Sequence, residues 1–290
     1  MRAHATLVLV LGMVGCYRVP APPPPAAPQP SAQPTASQAD LDRGKYVATI
    51  AGCMVCHGND LAGGHEGALP DGSGGKWRAP NLTTDPMTGL GRWTDEQIDA
   101  AVRQGVRPDG AHLLPIMPYG YYHRMTDTDA RAVTAYLRSV PAVDHRIARS
   151  DASPSLKPLE LEVPAGNVDT PALHGEYLAN LMHCAACHTP DDGRAFSGGT
   201  TFDTLVAPNI TSDRATGIGA WTENDIVRAI RTMTVPDGSK IEGPMALYAS
   251  AWSQLTDADA HAVAAYIKSI PAIEHDVGHQ HEHQEQPGTH

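Results

Sequence analysis

The chain has 290 residues, with 21 basic and 32 acidic side chains and a formal net charge of −11 at pH 7. This acidity argues against a nucleic-acid partner, because like charges would repel the phosphates. The length accommodates two ordinary domains, yet the aromatic content is only 5%, with two phenylalanines and four tryptophans. Each domain would therefore lack large apolar side chains for its core. The negative surface suits either plain solubility or docking against a basic partner.

The first residues predict an export signal. Arg2 precedes the apolar run Leu7 to Leu11, which is too short to span a bilayer. Residues 1–15 resemble a bacterial lipoprotein signal, in which Cys16 would become the lipidated first residue, although Met13 replaces the usual leucine. The alternative is an ordinary signal peptide followed by an incidental cysteine. We expect a periplasmic lipoprotein held at the membrane by a lipid anchor.

A proline-rich segment follows this signal. Residues 16–39 include the run Pro22 to Pro25 and cannot build a hydrophobic core. Such a composition favours extended polyproline II structure. The segment is predicted to be a semi-rigid linker between the membrane and the folded domains.

One five-residue motif occurs twice and uses four of the five cysteines, first as Cys53 to His57 and again as Cys184 to His188. The pattern C-x-x-C-H is the attachment signal for c-type haem: both thiols bond to the haem vinyl groups and the histidine ligates the iron. The sequence therefore predicts two haem c groups. The predicted covalent attachment residues are Cys53, Cys56, Cys184 and Cys187, and the predicted axial ligands are His57 and His188.

Two other uses of these cysteines fit the pattern less well. A thioredoxin-like dithiol needs C-x-x-C after a buried strand and has no use for the histidine. A structural zinc site could take two C-x-x-C pairs, but it binds four ligands at short separations and leaves both histidines unexplained.

An internal repeat defines two domains. The matched landmarks lie at nearly constant spacing: Gly44 and Gly175, Ala79 to Thr83 and Ala207 to Thr211, Trp93 and Trp221, Pro108 to Gly110 and Pro236 to Gly238, Tyr136 and Tyr266. The predicted boundaries are 40–145 for domain 1, 146–170 for a linker and 171–274 for domain 2. Residues 275–290 would form a histidine-rich disordered tail.

The repeats are predicted to be helical. Threonines followed three residues later by Gln or Asp indicate helix starts at Thr94, Thr126, Thr222 and Thr256. Apolar residues then recur at helical spacing, as at Ile226, Ala229 and Ile230. Long alternating strands are absent from the pattern, so the predicted fold class is all-α.

With these motifs in place, the chain resembles tandem class I c-type cytochromes, and in particular the cytochrome c subunits of periplasmic dehydrogenases for alcohols and gluconate. The resemblance covers both repeats, including the Ala-Pro-Asn-(Leu/Ile)-Thr loop, the Trp-Thr helix start and a closing helix that ends in Ser-(Val/Ile)-Pro-Ala. It implies two tandem all-α cytochrome domains and an electron-carrier role. Those subunits commonly bear three haem motifs, whereas this chain has two.

The resemblance also implies a methionine as the second axial ligand in each repeat. Met117 lies between Pro115 and Pro118, and Met245 follows Pro244, at the positions where the family places this ligand. Thioether ligation raises the reduction potential and closes the iron to substrate. The alternative is that both are core methionines. The competing methionines are Met87, Met125, Met182 and Met233.

Four further residues are expected next to the haem groups by resemblance. The carbonyls of Pro80 and Pro208 would accept hydrogen bonds from the axial histidines, or these prolines simply form turns. The indoles of Trp93 and Trp221 would donate to haem propionates, or they pack at helix starts. Gly44 with Tyr136, and Gly175 with Tyr266, are expected where the first and last helices cross.

The predicted function is single-electron transfer in the cell envelope. The redox partners would be a dehydrogenase or quinol-oxidising complex on one side, and a terminal oxidase or soluble cytochrome on the other. The alternative is a catalytic dihaem enzyme, a peroxidase or sulfur-compound oxidase, for which His65 and His123 are the available acid-base candidates. The histidine-rich tail, from His275 to His290, is expected to be solvated, with metal chelation as its alternative function.

Overall fold

Each repeat is organised around a close crossing of its first and last helices. The computed structural model describes residues 36–161, 168–202 and 204–278. In the first repeat α1 (Gln38–Ile50) crosses the helix Asp127–Ser139 at Gly44, where a Cβ atom would lie 1.9 Å from the carbonyl oxygen of Ala132. In the second repeat the helix Pro171–Leu181 crosses the helix Asp257–Ser269 at Gly175. A Cβ atom on Gly175 would lie 2.1 Å from the carbonyl oxygen of Ala262. Only glycine permits these approaches, so the predicted crossings are present.

The helices are numbered in chain order. After α1 come α2 (Cys53–His57), α3 (Asp95–Gln104), α4 (Tyr119–Tyr122) and α5 (Asp127–Ser139) in the first repeat. The second repeat contains α6 (Pro171–Leu181), α7 (Cys184–His188), α8 (Glu223–Thr232), the 3₁₀ turn Gly243–Tyr248, α9 (Ala249–Trp252) and α10 (Asp257–Ser269). Within the described ranges no helix is both long and apolar enough to cross a membrane.

Helix starts follow the predicted capping pattern. Each of four threonine side chains accepts a hydrogen bond from the backbone N–H three residues later: Thr94 from Gln97, Thr126 from Asp129, Thr222 from Asp225 and Thr256 from Asp259. Each bond satisfies one of the backbone donors that a helix start leaves without a partner. The starts of α3, α5, α8 and α10 are therefore confirmed.

Two short ribbons interrupt the mostly helical fold. Strand β1 (Glu66–Ala68) pairs antiparallel with β2 (Lys76–Arg78), placing Gly67 opposite Trp77. In the second repeat β3 (Thr201–Phe202) pairs with β4 (Leu205–Val206). These strands have two or three residues, which is too few for alternating hydrophobicity to show in the sequence.

The predicted linker lies partly against the first repeat. The Asp151 carboxylate is 3.0 Å from an Arg78 guanidinium nitrogen, and the Leu159 N–H donates to the Tyr119 hydroxyl over 2.6 Å. Residues 146–161 contain no helix or strand. The rest of the linker includes residues 162–167, which lie outside the described ranges.

The second repeat extends one residue beyond the predicted boundary at 274. The His275 ring nitrogen Nδ1 lies 2.9 Å from the Ser197 carbonyl oxygen, and its N–H donates to the Thr216 hydroxyl over 3.0 Å. His145 occupies the matching place in the first repeat, with Nδ1 3.0 Å from the Ala62 oxygen. His275 therefore packs as part of the second repeat.

The two repeats contact one another through a pair of tyrosine-carboxylate hydrogen bonds related by the internal repeat. The Tyr177 hydroxyl on α6 donates to the Asp129 carboxylate on α5 over 2.6 Å. The Tyr46 hydroxyl on α1 donates to the Asp259 carboxylate on α10. Each carboxylate lies in the first turn of a final helix, so the first helix of each repeat is bonded to the last helix of the other.

Each of these carboxylates also pairs with a basic side chain from its own repeat. Both oxygens of Asp129 accept from Arg43 at 2.7 Å, and Asp259 lies 2.7 Å from Nε2 of His174. Burial by itself would raise the pKa of the Asp259 carboxyl, but the hydrogen bonds from Tyr46 and His174 outweigh it and leave that pKa below its ordinary value. The bond from Tyr46 is therefore made to an ionised carboxylate at neutral pH.

The substitution Tyr177→Phe tests the strength of this contact. It removes a donor to a buried charged acceptor, and we expect a loss of about 1.5–3 kcal/mol of unfolding free energy, measured by urea denaturation. Tyr136→Phe is the control, because no other described residue hydrogen-bonds its hydroxyl. Equal losses in the two variants would contradict a specific role for the Tyr177 bond.

Candidate haem-binding sites

Each C-x-x-C-H motif forms a single helical turn directly after the first helix of its repeat. These turns are α2 and α7, so the two thiols of each motif, three residues apart, lie on one face. All four cysteines of the motifs are free and partly buried. The fold therefore presents two separate pairs of thiols, one in each repeat.

A left-handed residue reverses the chain before each turn. Gly52 has φ +78° and His183 has φ +44°. Glycine adopts this region without cost, whereas a histidine there is uncommon. The repeats thus have the same backbone shape at this point with different side chains.

Both motif histidines are buried and held in one tautomer. Nδ1 of His57 lies 2.8 Å from the Pro80 carbonyl oxygen, and Nδ1 of His188 lies 2.8 Å from that of Pro208. A carbonyl accepts only, so each Nδ1 carries the proton and each Nε2 carries a lone pair. Neither Nε2 hydrogen-bonds any described residue. A buried imidazole with a free basic nitrogen fits the donor that haem iron requires.

The electrostatic surroundings favour neutral rings. Burial lowers the pKa of His57, an effect partly opposed by the Pro80 carbonyl and reinforced by nearby His65. Burial also lowers the pKa of His188, again opposed by the Pro208 carbonyl. A neutral imidazole is the form that binds a metal.

The first cysteine of each motif has a raised thiol pKa, whereas reactive thiols have a lowered one. Burial, with a smaller contribution from the second thiol of each motif, raises the pKa of Cys53 and of Cys184 to about 12. A dithiol of the thioredoxin kind requires a lowered thiol pKa. In the described part of the chain, no group of three or more His, Cys, Asp or Glu side chains could hold a metal ion. The raised thiol pKa values argue against the redox-dithiol interpretation.

Asparagines fix the loops that carry the proline carbonyls. Asn81 is 2% exposed, and its side-chain amide donates to the Val143 oxygen over 2.8 Å while its oxygen accepts the Thr83 N–H at 2.9 Å. Asn209 makes the matching bonds to Ile273 and Thr211. Each asparagine therefore ties its loop to the segment after the last helix of the repeat. Both asparagines lie inside the repeated Ala-Pro-Asn-(Leu/Ile)-Thr motif, which by itself does not indicate these partners.

A glycine packs directly against each loop. A Cβ atom at Gly63, where φ is +77°, would lie 2.5 Å from the Pro80 carbonyl oxygen. At Gly198, with φ +74°, it would lie 2.5 Å from the Pro208 carbonyl carbon. These glycines hold the position of the oxygens that the histidines bond, and their repetition in the sequence is the signal that could have found them.

The structure separates the competing methionines by burial. Met125, Met182 and Met233 are at most 5% exposed and belong to the hydrophobic core, whereas Met87 is 62% exposed. Met117 and Met245 are partly buried and pack at the edge of the core, Met117 before α4 and Met245 in the 3₁₀ turn. These two remain the predicted second axial ligands.

The predicted tryptophans lie at the helix starts before α3 and α8. The Trp93 carbonyl accepts from Arg138, and the Trp221 carbonyl accepts from Lys268 over 2.7 Å. Neither indole nitrogen hydrogen-bonds another described residue, which leaves both free for an acceptor outside the polypeptide. The Arg107 guanidinium lies 6.0 Å from the Trp93 ring centroid.

The remaining predicted residues are placed as follows. Nδ1 of His65 lies 2.9 Å from the Val55 carbonyl oxygen, and Nδ1 of His123 lies 3.0 Å from that of Arg103. The predicted lipidation residue Cys16 and the tail residues 279–290 lie outside the described ranges. The predicted anchor, the predicted solvated tail and its metal-chelating alternative therefore stay untested.

Comparison with known proteins identifies the family. The cytochrome c family model matches the chain twice, over residues 41–141 and 172–271. These matches cover both C-x-x-C-H turns and both proline loops. The chain belongs to the cytochrome c family and contains two cytochrome c domains, which confirms the predicted resemblance.

Curated relatives share this arrangement. The chain is 34% identical over 277 residues to the cytochrome c subunit of the quinone alcohol dehydrogenase of Gluconacetobacter polyoxogenes, covering 83% of this chain and 58% of that subunit. It is 32% identical to the fructose dehydrogenase cytochrome subunit of Gluconobacter japonicus, covering 92% and 58% respectively. It is 29% identical to a dihaem cytochrome c-type protein of Cereibacter sphaeroides, covering 94% and 99%. The chain thus spans somewhat over half of the dehydrogenase subunits, and the names support electron transfer.

The substitution Gly63→Ala tests the role of the Pro80 carbonyl. The added methyl group should displace this oxygen from His57, make the imidazole a weaker donor and raise the reduction potential of the first haem, measured by spectroelectrochemical titration. Gly74→Ala is the matched control, because φ is also +77° and no atom lies within 4 Å of its Cβ position. Both variants should lose about 1–2 kcal/mol from backbone strain. Equal potentials in the two would contradict the assignment.

The substitutions Met117→Ala and Met245→Ala test the second axial ligands. Each should convert one haem from a low-spin to a high-spin visible spectrum and lower its potential, because a strong-field thioether is lost. Met87→Ala, at an exposed position, should leave both haem spectra as they are. Unchanged low-spin spectra in the Met117 or Met245 variant would show that another residue ligates that iron.

Proposed function

We propose that this chain is a dihaem c-type cytochrome that transfers single electrons in the cell envelope. The repetition of a complete site carries the proposal: each repeat has its own pair of thiols, its own buried neutral histidine and its own carbonyl-bonded Nδ1. Each repeat would hold one haem c, giving two tandem class I domains of all-α type. The name of the Cereibacter sphaeroides relative, a dihaem protein of similar length, supports this count.

In each repeat, two cysteines would attach the haem covalently, and a histidine and a methionine would ligate its iron. Cys53 and Cys56 would attach the first haem, with His57 and Met117 as its axial ligands. Cys184 and Cys187 would attach the second, with His188 and Met245. The bound iron supplies a centre that alternates between ferrous and ferric states by one electron. Two protein ligands at each iron would close it to substrate, as an electron carrier requires.

The proposed partners are a dehydrogenase or quinol-oxidising complex as electron donor, and a terminal oxidase or soluble cytochrome as acceptor. The names of the alcohol and fructose dehydrogenase cytochrome subunits support the donor class. The proposed location is the periplasm, with a lipid anchor at Cys16 at the end of the export-like segment. The charge of −11 suits docking against a basic face of a redox partner.

A catalytic dihaem enzyme gains no specific support. Its predicted acid-base candidates, His65 and His123, each have a ring nitrogen bonded to a backbone carbonyl. The three relatives described above are named as cytochromes or cytochrome subunits. The proposal is therefore restricted to electron transfer.

Haem stoichiometry tests the proposal. The protein matured in a host that attaches c-type haem should contain two haems per chain by pyridine haemochrome analysis, and should titrate in two reversible one-electron steps. The double substitution Cys53→Ala/Cys56→Ala should retain one haem, and so should Cys184→Ala/Cys187→Ala. A colourless product, or turnover of peroxide or thiosulfate by the isolated protein, would contradict the proposal.

A further inference from the structure

The two haem-attachment turns meet at a single aromatic side chain. Tyr248 lies immediately before α9 in the second repeat, and a Cβ atom on Gly52 of the first repeat would lie 2.5 Å from its ring. The ring centroid of Tyr248 is 5.1 Å from that of His183, in an edge-on arrangement. Gly52 and His183 are the residues that precede the two C-x-x-C-H motifs. Tyr248 therefore contacts the start of both turns.

Thiols of both motifs contribute to the electrostatic environment of Tyr248. Burial raises the pKa of the Tyr248 phenol well above its ordinary value, and the neighbouring thiols of Cys56, Cys187 and Cys53 raise it further, in that order. Cys56 belongs to the first repeat and Cys187 to the second. The phenol is therefore influenced by thiols of both repeats, in agreement with its contacts to Gly52 and His183.

Neighbouring groups hold this ring in place. Trp252 stacks on Tyr248 with centroids 4.8 Å apart and 18° between the planes. The Trp252 indole donates to the Ile50 carbonyl of the first repeat over 3.1 Å. The Tyr122 hydroxyl donates to the adjacent Ala51 carbonyl over 2.6 Å. The backbone that leads into Gly52 is therefore bonded from both repeats at once.

The contact breaks the internal symmetry of the chain. Tyr248 occupies the position before α9, and the matching position before α4 is Pro118. Gly52 in the first repeat matches His183 in the second. A large ring from one repeat thus fills the space above a glycine of the other. A histidine at position 52 would collide with this ring, so the two sites have complementary rather than identical surfaces.

We infer that electrons pass between the two haem groups across this contact, and that Tyr248 is the positioning residue that holds the two attachment turns at a fixed separation. The inference rests on the proposed function, since it requires a haem in each repeat. In each exchange one iron is oxidised from ferrous to ferric while the other is reduced from ferric to ferrous. One electron moves and no proton or further reactant takes part.

Replacement of the ring tests this inference. The full-length dihaem protein is reduced by a laser flash with less than one electron per chain, and the subsequent exchange between the haems is followed by visible absorbance. Tyr248→Leu should slow this exchange several-fold without a change in either midpoint potential or in the haem spectra. Tyr248→Phe keeps the ring and should restore the exchange rate. Leu247→Ala, at an adjacent residue that is 65% exposed, is the neighbouring control.

A second variant changes the first-repeat side of the contact. Gly52→Ala places a methyl group against the Tyr248 ring and should also slow the exchange. Gly110→Ala is its matched control, because φ is +79° and no atom lies within 4 Å of the Cβ position. Pulsed electron paramagnetic resonance on the fully oxidised protein should show a longer or broader separation between the two ferric centres in Tyr248→Leu than in the wild type.

The outcomes separate this inference from the proposed function. Two haems per chain with an unchanged exchange rate in Tyr248→Leu would overturn the inference alone. A slower exchange with shifted midpoint potentials would also overturn it, because the driving force would then explain the rate. A wild-type protein with fewer than two haems would overturn the proposed function, and the inference with it.

Discussion

The close crossing of the first and last helices in each repeat is the constraint on which the remaining structure depends. At Gly44 and Gly175 the helix backbones approach so closely that a Cβ atom would overlap a carbonyl oxygen of the partner helix. The first helix of each repeat ends six residues after this glycine, and the C-x-x-C-H turn begins three residues further on. The crossing also brings the first turn of the last helix, with Asp129 or Asp259, beside the start of the first helix, where Arg43 or His174 pairs with it. The thiols and the inter-repeat carboxylates are thus positioned by the same packing.

Features that depend on short sequence patterns could be predicted. The four threonine caps follow from a side-chain oxygen three residues before a backbone donor, and this geometry is local. The glycine crossings and the domain repeats follow from residues that recur at constant spacing. The resemblance to class I cytochromes supplied the proline loops, and the distances between Pro80 and His57 and between Pro208 and His188 are those of hydrogen bonds. The roles of these residues toward haem stay predictions.

Features that depend on contacts between residues far apart in the sequence could not be predicted from short sequence patterns. The β1–β2 and β3–β4 ribbons are too short for a strand pattern. Asn81 joins residues about sixty positions apart, as its bond to Val143 shows, and nothing local to the asparagine indicates that partner. His183 adopts a left-handed conformation because it occupies the turn that Gly52 forms in the first repeat. Tyr248 acquires its place only when the two repeats pack together.

Through the reciprocal tyrosine bonds, each repeat supplies a hydrogen-bond donor to a carboxylate of the other repeat. If either repeat stood alone, its buried carboxylate would lose a donor, and its tyrosine hydroxyl would turn from Asp129 or Asp259 to water. Separation of the halves would remove both tyrosine bonds together, while Arg43 and His174 would stay paired with the carboxylates of their own repeats. The two copies of the domain are therefore coupled, since removal of either one would take away a hydrogen bond that the other copy receives.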